Sequence, residues 1–178
     1  DPQDKLIRNM DSRPVAPHEY LMKSGTAEEC IDIAIVAEGY TSEEMDIFMR
    51  DARTACEEIF RYEPFASHKQ QFNVVAVKLA SKQSDVSVPQ EDVWRQTALN
   101  SNFHTFYSPR YLTTNSVHLI HDSLAGVDYE HLIILANTDT YGGGGIYNSY
   151  TLTTAHNPQF KPVVVHEFGH SFGALADE

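Results

Sequence analysis

The sequence predicts an α/β (α+β) domain: a mixed, twisted sheet flanked by helices and closed by a helix that carries the chemistry. Short runs rich in Ile and Val alternate with stretches whose apolar residues recur at helical spacing, and turn residues separate the two kinds. Hydrophobic residues make up 42% of the chain against 21% charged ones, so the composition is that of a folded domain rather than a disordered one. At 178 residues the chain suits a single core.

Residues 1–27, with Arg13-Pro14-Val15-Ala16-Pro17, sustain neither the strand nor the helix period and read as an extended N-terminal strap. The domain proper is expected over 28–178. Cys30 to Ala37 (CIDIAIVA) alternates and is the first predicted strand, stopped by Glu38-Gly39-Tyr40. Thr41 or Ser42 then caps a helix whose first turn holds Glu43 and Glu44, acids that suit the positive end of its dipole. Its apolar stripe is Met45, Phe48, Met49, Ala52, Ala55, Cys56, Ile59 and Phe60, and Pro64 stops it. Phe72 to Leu79 is the next strand, and the polar run Ser81 to Glu91 a loop. Thr114 to Leu124 reads as a second helix and His131 to Ala136 as a short buried strand. Four consecutive glycines, 142 to 145, predict a flexible turn leading into a Tyr- and Thr-rich strand over Ile146 to Thr154. They are not a phosphate loop, because no Gly-Lys-Ser or Gly-Lys-Thr follows.

Pro162 is expected to open the last helix, which runs through Val163, Val164 and Val165 into His166-Glu167-Phe168-Gly169-His170. Two histidines four apart lie on one helical face and can share an ion, while the acid beside the first reaches a water rather than the metal. A catalytic zinc uses three protein ligands and leaves one position open, so the pentad supplies two ligands and a base and needs a third ligand from elsewhere. His166 and His170 are therefore the expected zinc ligands and Glu167 the general base. Gly173 stands where a helix could turn sharply and return a ligand to the site, as in the extended H-E-x-x-H-x-x-G pattern. That pattern would put the ligand at Ala176, which cannot bind zinc. Asp177 is the first choice for the third ligand, Glu178 the second, and a residue beyond Glu178 the remaining one.

The blocks His166-Glu167-Phe168-Gly169-His170-Ser171-Phe172 and Leu175-Ala176-Asp177-Glu178 resemble the M64 peptidases, the IgA-peptidase family. Ala37-Glu38-Gly39-Tyr40-Thr41, Thr97-Ala98-Leu99 and Arg110-Tyr111-Leu112-Thr113-Thr114 share the resemblance, which spans most of the chain from about residue 30. It implies a zincin or metzincin-like upper subdomain ending in the active-site helix, a zinc endopeptidase acting on protein or peptide, and a secreted or cell-envelope location. It also implies further sequence after the motif, so the chain is expected to be the N-terminal part of the catalytic domain. Specificity for immunoglobulin does not follow from the family's name.

A net charge of -12 with no Lys or Arg cluster speaks against nucleic acid, and no run of about 18 apolar residues could span a bilayer. The first residues, Asp1-Pro2-Gln3-Asp4, have neither the basic nor the apolar part of a signal peptide and read as the start of a processed chain. Cys30 and Cys56 are read as free thiols. His104, His118, His121, His131 and His156 are isolated and read as surface or core residues rather than ligands. Tyr147 and Tyr150 read as strand-packing residues, and Glu28-Glu29 and Glu57-Glu58 as solvated faces. Asp85, Glu91 and Asp92 lack the ligand ladder of a calcium loop. The reading from another class is a non-catalytic peptide- or glycan-binding module that retains zinc.

Overall fold

A computed structural model describes residues 14–177. Within the stretch read as a strap, His18–Met22 form β1, which pairs antiparallel with a later strand. The first predicted strand is β2 (Ile31–Glu38), buried on both faces along nearly its whole length. Thr41 then closes a reciprocal cap with Glu44: the Glu44 carboxylate accepts from the Thr41 N–H at 2.8 Å and from its hydroxyl at 3.0 Å. A short 3₁₀ turn leads from there into α1 (Met45–Ile59). Every residue of the predicted apolar stripe packs in one cluster with Ile33, Ile35 and Ala37 of β2. Glu58 departs from its reading as solvated: it is buried and pairs with Arg61 at 3.2 Å.

The parallel core continues with β3 (Phe72–Val77), and after a long irregular segment come α2 (Val117–Ser123) and β4 (His131–Ala136). β3 and β4 flank β2 and run parallel to it, so β2 is the centre of the sheet. Gly143–Ile146 form β5 and Tyr150–Thr154 form β6, an antiparallel pair, and α3 (Phe160–Gly173) closes the domain. The strand order is β1-β3-β2-β4-β6-β5, a mixed sheet with antiparallel edges. On one face, α1 and α3 cover Ile33, Ile35 and Ile133; on the other, α2 and the segment between β3 and α2 cover Ala34, Val36 and Ile134. Because alternate residues of each strand serve opposite cores, the parallel strands are near-continuous apolar runs.

The glycines correct the sequence reading. Gly143, Gly144 and Gly145 hold a strand rather than a flexible turn, and β5 lies so close to α3 that a side chain on Gly143 or Gly145 would be crowded. A Cβ on Gly145 would sit 2.7 Å from the Cβ of His170, and one on Gly143 would sit 3.1 Å from the Glu167 carboxylate. Pro162 does not open α3 but falls in its first turn, where its missing N–H leaves no partner wanting. Cys30 and Cys56 are free, and Cys56 is buried, which pushes its thiol up to about 11.

His131 packs its ring 4.4 Å from that of Phe172, and burial holds its pKa below the usual histidine value. A histidine that resists protonation when folded leaves stability intact above the unfolded-state pKa of about 6.5 and takes stability away as pH falls below it. His131→Gln is therefore expected to flatten the fall in melting temperature between about pH 7 and pH 5. Melting curves with the same slope in both proteins would refute the assignment.

Candidate metal centre and cleft

α3 presents His166 and His170 one turn apart, and their Nε2 atoms lie 3.0 Å from each other. Asp177 comes to the same point, with Oδ1 at 3.0 Å from His166 Nε2 and 3.2 Å from His170 Nε2. What brings it there is a tight reversal after the helix. Gly173 stays helical, and the chain turns at Ala174, which has a left-handed conformation with φ 54°. This moves the expected turn by one residue. Gly169 and Gly173 leave the flank of α3 bare, so that Leu175 folds back over it; a Cβ on Gly169 would stand 3.3 Å from the Leu175 side chain.

The reversal has an electronic consequence. The Leu175 carbonyl lies 2.5 Å from His170 Nδ1, and a carbonyl can only accept, so Nδ1 carries the proton. In the neutral ring Nε2 is then a bare lone pair aimed at His166 and Asp177. Two imidazole nitrogens and a carboxylate oxygen so close together repel unless a proton or a cation lies between them. The edges of this triangle approach the roughly 3.3 Å ligand separation of a tetrahedral ion bound at about 2.0 to 2.1 Å. Among the described residues this is the one group of three His, Cys, Asp or Glu side chains able to hold a metal ion. Glu178, the second choice for a ligand, lies outside the described residues.

Glu167 lies against Gly143 of β5 and is half-buried. Burial raises its pKa; the nearby His166 and His170 act against that, as does a hydrogen bond from the Gly145 backbone. All four side chains line a cleft of about 1120 Å³, whose other wall is β5 and the Arg110–Thr113 segment.

The remaining histidines lie elsewhere. His156 bonds Asp51 at 2.8 Å, and His121 bonds the Tyr129 hydroxyl at 2.6 Å. Tyr150 is a packing residue: buried, it accepts from the Thr114 N–H at 3.1 Å and donates to the Thr114 carbonyl at 2.8 Å. Tyr147 is exposed in the turn between β5 and β6 and lines the cleft.

Two features escaped the reading of the sequence. Glu38, at the end of β2, is fully buried and accepts four hydrogen bonds: from Thr97 Oγ1 at 2.6 Å, Leu99 N at 2.8 Å, Ser101 N at 2.9 Å and Ser101 Oγ at 2.7 Å. It ties the long segment after β3 to the sheet. The second is the Arg110–Leu112 stretch, which pairs with β5: the Gly143 N–H donates to the Arg110 carbonyl at 3.1 Å, and Leu112 N–H to the Gly143 carbonyl at 3.3 Å. A glycine-rich run beside a predicted active-site helix was the available signal for such close backbone approach.

An α/β layer whose last helix brings two imidazoles and a carboxylate together at an open cleft offers a group of side chains that could hold a metal ion. The sequence profile of the family IgA Peptidase M64 matches residues 20–178, and the chain belongs to that family. It is accordingly a member of a peptidase family, with protein or peptide as the class of substrate. Comparison with curated proteins gives no match. Among the described residues no helix is long and apolar enough to cross a membrane.

Proposed function

We propose that the chain is a zinc-dependent endopeptidase whose ligands are His166 Nε2, His170 Nε2 and Asp177 Oδ1, with Glu167 as general base. The observation that carries this reading is the convergence of three lone-pair donors within 3.2 Å, one of them oriented by a backbone carbonyl. Zinc supplies Lewis acidity at that point, which acidifies water and polarises a carbonyl.

The protein's own groups do the rest. Glu167 stands beside the ligands with a carboxylate free to take a proton from the attacking water and hand it to the departing amine nitrogen. Its raised pKa suits a group that must hold the proton between those two events. An extended peptide would lie along the outer edge of β5, where backbone pairing aligns it with the ligands. Burial of Glu167 against glycine backbone keeps its carboxylate aimed at the cleft.

The test is metal content by elemental analysis together with cleavage of peptides before and after chelation. One equivalent of zinc, loss of cleavage on chelation and recovery on adding zinc back are expected. Asp177→Ala should weaken zinc binding at least about a hundredfold, read by competition with a chromophoric chelator. Zinc retained in Asp177→Ala at wild-type affinity would refute that ligand. Zinc retained with no cleavage of any peptide would favour a binding module.

A further inference from the structure

We propose that Arg110 is a specificity residue that receives an acidic side chain of the peptide substrate, close to the bond being cut. The inference rests on the peptidase reading and adds the substrate's chemistry to it. Among the described residues lining the cleft, Arg110 is the single Lys or Arg, in a chain of net charge -12. Its side chain is exposed and has no ion pair among the described residues, whereas Arg53, Arg61 and Lys78 each hold a carboxylate at 3.0 to 3.3 Å. The guanidinium stands 5.8 Å from the ring centroid of Tyr111, another residue of the cleft wall, and Tyr111 meets Phe106 edge to face. A guanidinium beside aromatic surface, on the wall of a groove, is a fork for a carboxylate.

Its backbone is fixed while its head is free. The Arg110 carbonyl is bonded by Gly143 N–H and Tyr111 bridges to Gly143, so the residue is one strand spacing from β5. Gly143 in turn abuts Glu167. The same pairing occupies the outward backbone groups of Gly143. By strand alternation, the next outward position on this edge is Gly145, beside His170; its N–H reaches Glu167, which leaves its carbonyl to pair. A peptide paired there would meet the Arg110–Tyr111 wall within about two residues of the ligands.

The experiment uses the zinc-loaded protein and internally quenched peptides of one sequence. Glu, Gln and Lys are placed in turn at each of three positions on either side of the cleaved bond. At one position the kcat/KM ratio of Glu over Lys should be about tenfold or more, fall toward one in Arg110→Gln, recover in part in Arg110→Lys and invert in Arg110→Glu. The ratio is read within each variant, so a general loss of activity cancels. Labelled peptides bound to Glu167→Gln and to its double variants with Arg110 give the same ratio from fluorescence anisotropy, without turnover. An unchanged ratio in Arg110→Glu, by either readout, overturns the proposal. Failure of the wild type to cleave any peptide overturns the peptidase reading instead, and anisotropy still decides on Arg110.

Discussion

Glu167→Gln is expected to lower kcat by about 10² to 10⁴-fold while zinc content and melting temperature stay at wild-type values. In barrier terms that is about 3 to 5 kcal/mol, the usual worth of a well-placed proton-transfer group. The substitution is close to isosteric, which matters because the side chain is packed against Gly143 and a smaller residue would loosen β5. The amide cannot take a proton from water. A fall in kcat with metal retained separates the role of the base from that of the ligands, since Asp177→Ala acts through metal affinity. Stopped-flow single-turnover kinetics would place the loss in the chemical step rather than in product release. A variant that cleaves at the wild-type rate would remove Glu167 from the mechanism.

The parts of the molecule that obey local rules were readable in advance. The stripe from Met45 to Phe60 repeats at helical spacing, Thr41 stands before it as one of two capping residues, and Cys30 to Ala37 is a run of strand formers. The pentad was readable because four residues make one helical turn whatever surrounds them. What stayed hidden depends on contacts between distant segments. The strand at Gly143–Ile146 exists because α3 and the 110–112 stretch press on it from two sides, a condition no window of sequence contains. The reversal at Ala174 is similar. A non-glycine residue takes φ 54° there because the chain beyond it is held by Leu175 on Gly169 and by Asp177 on the two histidines. Glu38 looked like the last polar residue of a strand, and its four donors come from positions about 60 residues away.

That carboxylate carries the second large expectation. Glu38→Ala leaves two hydroxyls and two backbone N–H groups without their acceptor in a fully buried site. Each abandoned donor costs about 1 to 3 kcal/mol, less where water enters the cavity, so a loss of about 3 to 5 kcal/mol is expected. For a chain of this length the melting temperature should drop by about 10 °C. Glu38→Gln keeps the volume but turns an N–H₂ toward donors, and should recover only part of the loss. The damage is expected to reach the cleft by a short route. Ser101 is followed by Asn102, which bonds Thr113 at 3.0 and 3.2 Å, and Leu112 and Arg110 hold Gly143. Freed from Glu38, the wall that carries Arg110 loses its fixed distance from β5. Limited proteolysis should then open the exposed stretch at Phe106 and Tyr107 before the rest of the domain, with the proposed zinc ligands on α3 still able to bind metal. Cleavage there no faster than in the wild type, at a temperature where both proteins are folded, would show that the anchor at Glu38 and the cleft wall are independent.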